Sequence, residues 1–128
     1  MPHLTVHALE DDLAGRETAA IEQLTDAVVA VYGDWARDIV DIRLVGVPHG
    51  RWGIGGKLAD SPAPSVTFGI RAAAFDRPDA ADITARLVSG VTDAIASVFG
   101  EQVRPGVTVD LVAMPAERTA VGGVLPAP

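Results

Sequence analysis

The chain has 128 residues, of which 48% are hydrophobic and 21% are charged, and this composition is typical of one globular domain. Its formal net charge of −7 argues against a nucleic-acid partner or an anionic membrane surface, and the ten Lys and Arg residues are scattered along the chain. The absence of cysteine excludes disulfides and thiolate chemistry, and three scattered histidines form no metal-binding pattern.

The first part of the chain predicts a strand, a helix and a second strand. Residues 2–9 are mostly apolar and β-prone, and apolar residues recur at helical spacing from Ile21 to Val31 before a natural stop at Gly33. Residues 39–47 are again rich in β-branched side chains. The stretch HGRWGIGGKLA predicts a hairpin whose turn uses the glycines, and KLADSPA predicts an exposed linker.

The second part predicts the same elements in the same order. Residues 64–70 predict a strand, and one apolar stripe from Ile83 to Phe99 predicts a helix that ends at Gly100. The segment FDRPDAAD before this helix contains Asp76 and Pro78, which suit a helix start. A second β-rich segment and a second Gly-Gly turn follow.

The two parts are copies of each other. Residues 24–56 and 91–123 align without a gap at a displacement of 67, with 13 identities in 33 positions, while the opening strands align at a displacement of 62. The second copy therefore has five additional residues between its strand and its helix. We predict a single α/β domain of two strand–helix–strand units, residues 2–57 and 64–125, which together form one four-stranded sheet with both helices on one face. The other face is expected to be bare and apolar, and to be covered by self-association.

The opening PHLTVHALE and the closing HGRWGIGGKLA together resemble the tautomerase superfamily, whose small member is 4-oxalocrotonate tautomerase. The resemblance covers the whole chain twice, and the double-length format is similar to the cis-3-chloroacrylic acid dehalogenase and malonate semialdehyde decarboxylase branches. It implies a homotrimer that mimics a hexamer, and a chemistry that requires no cofactor or metal. Together with the absence of a signal-peptide pattern or a long apolar run, it leads us to expect a cytoplasmic protein.

The resemblance implies that Pro2 is the catalytic base once Met1 has been removed. An α-amino group has a pKa near roughly 8 in a peptide, and burial or nearby cations lower it. Such an amine can be neutral at working pH and accept a proton. Pro64 holds the matching place in the second copy, but its nitrogen is part of a peptide bond.

The same resemblance assigns two arginines. Arg71 matches an arginine that binds the substrate carboxylate in the dehalogenase branch, and a guanidinium can meet a carboxylate bidentately. Arg43 matches an arginine that 4-oxalocrotonate tautomerase sends into a neighbouring site, whereas the second copy has Asp110 there. The alternatives are a surface ion pair for Arg71 and a structural pair of Arg43 with Asp110.

Three residues are assigned to substrate binding. Trp52 occupies the aromatic wall position of the family pocket, with a core role as the alternative, and Leu9 is the first-copy counterpart of Arg71. Val121 stands where the dehalogenases have a carboxylate that activates water, which valine cannot replace, and nearby Glu117 is a poor substitute.

A dicarboxylate clamp looks incomplete. Asp12 and its second-copy counterpart Ala74 stand where the single-unit enzyme has a second carboxylate-binding arginine. Arg77 in the inserted loop could supply the missing cation, and otherwise a monoacid with an apolar tail fits better.

The sequence therefore predicts an enol–keto tautomerase that acts on a small 2-oxo or 2-hydroxy-enoic acid. Pro2 moves the proton, and Arg71 and Arg43 bind the carboxylate and the developing oxyanion. A decarboxylase or a hydratase/dehalogenase that acts on a three-carbon acid is one alternative. A trimeric scaffold without catalytic activity is another.

Overall fold

The computed structural model describes residues 2–126, and its elements follow the predicted order. The first half contains β1 (His3–Leu9), α1 (Glu10–Leu13), α2 (Glu17–Tyr32), β2 (Asp41–Val47) and a hairpin of β3 (Gly53–Ile54) and β4 (Lys57–Leu58). The second half contains β5 (Ser65–Arg71), α3 (Ala80–Phe99) and β6 (Thr108–Met114). Short 3-10 helices follow α2 at Asp34–Ile39, β5 at Ala72–Asp76, α3 at Glu101–Gly106 and β6 at Ala116–Arg118.

The four long strands form one mixed sheet in the order β2-β1-β5-β6. Each outer strand runs parallel to the inner strand of its own unit, and the two inner strands pair antiparallel, with His3 opposite Gly69 and Val6 opposite Val66. The α/β fold with four strands and two long helices is therefore confirmed.

The core lies between the sheet and the two long helices. Its largest fully buried side chains come from both units, and they include Leu4, Phe68, Leu24, Leu87 and Ile95. Side chains alternate across a strand, so every second residue of β1 and β5 enters this core. No polar or charged residue is buried within residues 2–126.

The prediction that the other sheet face is apolar was wrong. This open face carries a row of Arg43, Thr5, Thr67 and Asp110 in direct register across the four strands. Val112 is among its few exposed large apolar side chains. Most of the large apolar side chains of these strands point into the core. The open face therefore carries mainly polar and charged side chains.

Two short segments also differ from expectation. The sequence did not predict the one-turn helix α1, which begins at Glu10 directly after β1 and buries Leu13. The strand predicted from residue 39 begins at Asp41, because residues up to Ile39 belong to the 3-10 helix that follows α2.

Truncation of the central aromatic side chain tests this core. We expect Phe68→Ala to lower the free energy of unfolding by about 3–5 kcal/mol, because it removes a fully buried ring and leaves a cavity. Urea denaturation followed by circular dichroism, at one fixed protein concentration, measures the change. The control Ile21→Ala truncates a helix residue that is 42% exposed and should cost no more than about 1 kcal/mol. Equal losses in the two variants would contradict this core assignment.

Candidate active site

The antiparallel pairing of the inner strands brings Pro2 to the carboxyl end of β5. His3 is opposite Gly69, so the residue before His3 lies beside Ile70 and next to Arg71. The carbonyl oxygen of Pro2 accepts a hydrogen bond from the Asp41 N–H at 3.1 Å, which ties this end of β1 to β2. The first described residue is thus fixed by sheet hydrogen bonds on one side and by β5 on the other.

Pro2 is buried and lines a cavity of about 300 Å³, here called the Pro2 cavity. Its walls come from the end of α2, the following 3-10 helix, the end of β5 and the segment after it. The lining residues are Pro2, Tyr32, Trp35, Ile39, Ile70, Arg71 and Ala74. Apart from the guanidinium and the tyrosine hydroxyl, the side chains of this cavity are apolar or aromatic.

Arg71 is the cation of the Pro2 cavity. It is the last residue of β5, its side chain is exposed, and it has no carboxylate partner within residues 2–126. The surface ion pair that was the alternative for Arg71 is therefore not formed by the described residues. A guanidinium in this position can bind the carboxylate of a small molecule with paired, charge-assisted hydrogen bonds.

A second cavity of about 490 Å³ adjoins the first, because Arg71 lines both. Arg43, Asp41 and His3 contribute from the open face of the sheet, and Val121 contributes from the carboxyl-terminal segment. Arg43 and Val121 thus line the second cavity and not the Pro2 cavity.

The partner of Arg43 differs from the predicted alternative. Arg43 forms an exposed ion pair with Asp41, with 3.2 Å between Nη2 and the carboxylate oxygen. Asp110 lies on β6, at the opposite edge of the sheet and three strands away, roughly 14 Å at ordinary strand spacing. A structural pair of Arg43 with Asp110 within one chain is therefore wrong.

Arg77 is engaged by its own loop. Its guanidinium donates to both carboxylate oxygens of Asp79, at 2.9 and 3.1 Å, and this contact lowers the pKa of that carboxyl group. Burial raises the pKa of the Tyr32 hydroxyl above its ordinary value, and the positive charge of Arg77 opposes part of that shift. Tyr32 therefore keeps its proton at neutral pH and offers an O–H donor at the cavity.

Leu9 and Trp52 lie away from the Pro2 cavity in the single chain. Leu9 is the last residue of β1, roughly 20 Å from Pro2 along the strand. Trp52 is half-buried before the β3–β4 hairpin, and its carbonyl oxygen accepts the Ala59 N–H at 2.8 Å. Their assignment to substrate binding stays a prediction.

The internal repeat produces a counterpart of the Pro2 cavity at the other end of the sheet. This cavity, of about 440 Å³, is lined by Pro64, Phe99, Gln102, Gly106 and Asp12 among others. At the displacements found in the sequence these five residues correspond to Pro2, Tyr32, Trp35, Ile39 and Ala74, which line the Pro2 cavity. The nitrogen of Pro64 is an amide nitrogen, so this counterpart cavity has no amine base.

Sequence reasoning missed Tyr32, Trp35 and Ile39 as lining residues. One signal was available, because Trp35 aligns with Gln102 just after the helix end that both copies share at Gly33 and Gly100, where the two copies diverge. The residue that actually provides the aromatic wall of the Pro2 cavity is Trp35.

Solved structures of known proteins have the same architecture. A wild-type fused 4-OT described as an asymmetric trimer superposes with a TM-score of 0.81 at 25% identity, covering 96% of this chain and 94% of that chain. The chain has the fold of the fused, two-unit tautomerases. Another native fused 4-OT gives a TM-score of 0.81 at 22% identity over 96% of this chain and 94% of that chain.

A further match has a different activity in its name. N1, a member of the cis-3-chloroacrylic acid dehalogenase family, gives a TM-score of 0.71 at 21% identity over 96% of this chain and 82% of that chain. A comparison with protein-family models and with curated protein sequences finds no match. The same fold therefore occurs in fused 4-OT and in a member of the cis-3-chloroacrylic acid dehalogenase family.

Two surveys of the described residues bear on other classes of site. None of the helices between residues 2 and 126 is both long and apolar enough to span a membrane. Over the same range, no group of three or more His, Cys, Asp or Glu side chains is arranged to hold a metal ion.

Removal of the Arg71 guanidinium tests whether this cavity binds anions. We expect Arg71→Ala to weaken binding of cinnamate, an unreactive monocarboxylate, by about 10- to 100-fold, because charge-assisted hydrogen bonds to the carboxylate are lost. Isothermal titration calorimetry measures the affinity. The control Arg86→Ala removes a guanidinium that sits on α3 near Asp82 and should leave the affinity unchanged. Equal affinities of Arg71→Ala and the unmodified protein would refute the assignment.

Proposed function

We propose that the chain is a cofactor-independent enol–keto tautomerase that acts on a small 2-hydroxy-enoic acid. The observation that carries this proposal is that Pro2 and Arg71, a guanidinium without a carboxylate partner among residues 2–126, line one mostly apolar cavity. Proton transfer on a carboxylic acid substrate requires at least a base and an anion-binding group in the same cavity.

In the proposed mechanism, the proline nitrogen carries the proton. Removal of Met1, a residue outside the described range, leaves Pro2 with a secondary amine whose lone pair has a direction fixed by the ring. The amine accepts the proton of the enol hydroxyl, the C–O bond becomes a carbonyl, and the electron pair of the C=C bond takes a proton from the resulting ammonium at carbon. The amine is regenerated, so protons and electrons balance without a co-reactant.

The arginines have separate roles in this proposal. Arg71 binds the substrate carboxylate and thereby orients the enol beneath the amine. Arg43 stabilises negative charge on the oxygen, after exchanging its exposed pair with Asp41, either in its own site or in that of a neighbouring copy. Trp52, Leu9 and Val121 are proposed to contact substrate only where another copy completes the cavity.

The likeness to the cis-3-chloroacrylic acid dehalogenase family member favours one alternative. A decarboxylase or hydratase that acts on a three-carbon acid would use the same amine and guanidinium. Hydrolytic dehalogenation is less well supported, because exposed Val121 cannot activate water. A scaffold without activity would leave Pro2 and Arg71 without a chemical task.

Loss of the amine geometry provides the direct test. We expect Pro2→Ala to lower kcat/KM for phenylenolpyruvate ketonisation by about 100-fold or more, because a flexible primary amine replaces the fixed one. The matched control Pro64→Ala should retain activity, because that nitrogen is never a base. In the unmodified protein, kcat/KM should rise with pH until the amine is deprotonated.

Several outcomes would contradict the proposal. Mass spectrometry that shows Met1 retained would leave the Pro2 nitrogen without basicity and overturn the mechanism. Undiminished activity of Pro2→Ala would exclude the amine as the base. Turnover of 3-haloacrylates or malonate semialdehyde by a protein that does not ketonise phenylenolpyruvate would establish the alternative instead.

We also propose that this single domain, with units at residues 2–57 and 64–125, assembles as a cytoplasmic homotrimer. Support comes from the trimeric fused 4-OT with the same fold and from the open sheet face, which one chain leaves uncovered. Light scattering after size-exclusion chromatography should give three times the 13.2 kDa mass of the chain. A monomeric mass at micromolar concentration would refute the assembly.

A further inference from the structure

Trp35 is an exposed aromatic residue whose ring is nevertheless held in place. The side chain is 68% exposed, and its indole N–H donates to the carbonyl oxygen of Tyr32 at 2.7 Å. The rings of Trp35 and Tyr32 meet edge to face, with centroids 6.2 Å apart and planes inclined by 61°. Two aromatic rings therefore form a fixed corner of the Pro2 cavity.

The second copy of the repeat shows that the fold does not need this ring. Gln102 stands at the position equivalent to Trp35, and its amide donates to the carbonyl oxygen of Phe99 at 3.1 Å, the equivalent of the bond that Trp35 makes. Gly33 and Gly100 precede the two turns with nearly equal positive φ angles of 107° and 109°. The turn after each helix thus requires a side-chain donor, which glutamine supplies as well as tryptophan.

Compared with glutamine, tryptophan supplies an additional aromatic surface. This surface is present only at the cavity that contains the candidate base. The counterpart cavity, whose Pro64 nitrogen is acylated, has the amide of Gln102 at the same place. In the Pro2 cavity the remaining walls come from Ile39, Ile70 and Ala74, which have no charge. Covering the exposed indole with an apolar, planar group would be favourable, so the ring and the uncharged walls suit a ligand with such an end.

We propose that Trp35, supported by Tyr32, determines specificity by recognising an aryl group on an enol monocarboxylate whose acid group binds Arg71. The part of this inference that concerns catalysis rests on the proposed tautomerase function. The part that concerns binding of the aryl group rests on the cavity alone. A second carboxylate at the aryl end would be placed against the indole ring and Ile39 without a cation, because Arg77 is held by Asp79. The site therefore favours aryl monoacids over short aliphatic or dicarboxylic enols.

The variant Trp35→Gln tests this inference, since it retains the side-chain donor that the second copy uses and removes only the ring. The measured quantity is the ratio of kcat/KM for phenylenolpyruvate to kcat/KM for 2-hydroxypentadienoate, an enol acid without a ring. We expect the ratio to fall by about 10-fold or more, because the stacking surface is lost for one substrate only. Ile21→Gln, which replaces an exposed apolar side chain of α2 outside the cavity, should leave the ratio within about twofold, and circular dichroism verifies folding.

A binding measurement separates this inference from the proposed reaction. Cinnamate and crotonate are unreactive monocarboxylates, and cinnamate has a phenyl group where crotonate has a methyl group. Calorimetry gives the affinity of each for the unmodified protein and for Trp35→Gln. A preference for cinnamate that Trp35→Gln abolishes supports the aryl wall, even if the protein ketonises neither enol and the tautomerase proposal fails. An unchanged preference, or an unchanged kcat/KM ratio in an active enzyme, overturns the assignment of Trp35.

Discussion

The antiparallel pairing of β1 with β5 is the constraint on which the rest of the molecule depends. It joins the two units in the middle of the sheet, and its register sets Pro2 beside Ile70 and next to Arg71. A shift of this register by one residue would turn Leu4 and Phe68 out of the core, so burial of those side chains fixes it. The position of Pro2 relative to Arg71 is therefore secured by the core packing of the two inner strands.

The internal repeat gives the chain two similar cavities but only one amino terminus. Peptide-bond formation at Pro64 removes the basicity of its nitrogen, so the second cavity cannot repeat amine chemistry. Residues around the two prolines differ accordingly. Arg71 has Leu9 as its counterpart, and Trp35 has Gln102, whereas the glycine turns that end both helices remain nearly identical. The positions that shape the backbone are thus retained in both copies, while the positions proposed to contact a ligand have diverged.

The charges around the site are distributed by the ion pairs that the cations form. Arg77 and Arg43 are held by neighbouring aspartates, whereas Arg71 lies between two cavities and has no carboxylate partner among residues 2–126. A cation without such a partner can bind an incoming carboxylate without first breaking an ion pair, which supports the proposed role of Arg71 in anion binding. The open sheet face carries threonines flanked by charged residues, so its contacts with another copy would be polar as well as apolar.

The sequence by itself determined the elements and their arrangement. Apolar spacing identified the two long helices, Gly33 and Gly100 marked their ends, and the repeat predicted a four-stranded sheet with the helices on one face, because these patterns are local or recur within the chain. Pro2 and Arg71 were also foreseen as neighbours through the resemblance to the tautomerases. Only the tertiary structure decided which side chains share a cavity with them. Within one chain, Trp35 and Tyr32 line the cavity that contains Pro2 and Arg71, because the turn after α2 meets the end of the sheet there. Arg43 lines the adjoining cavity instead, because its strand pairs with β1. Both placements are contacts between residues far apart in sequence.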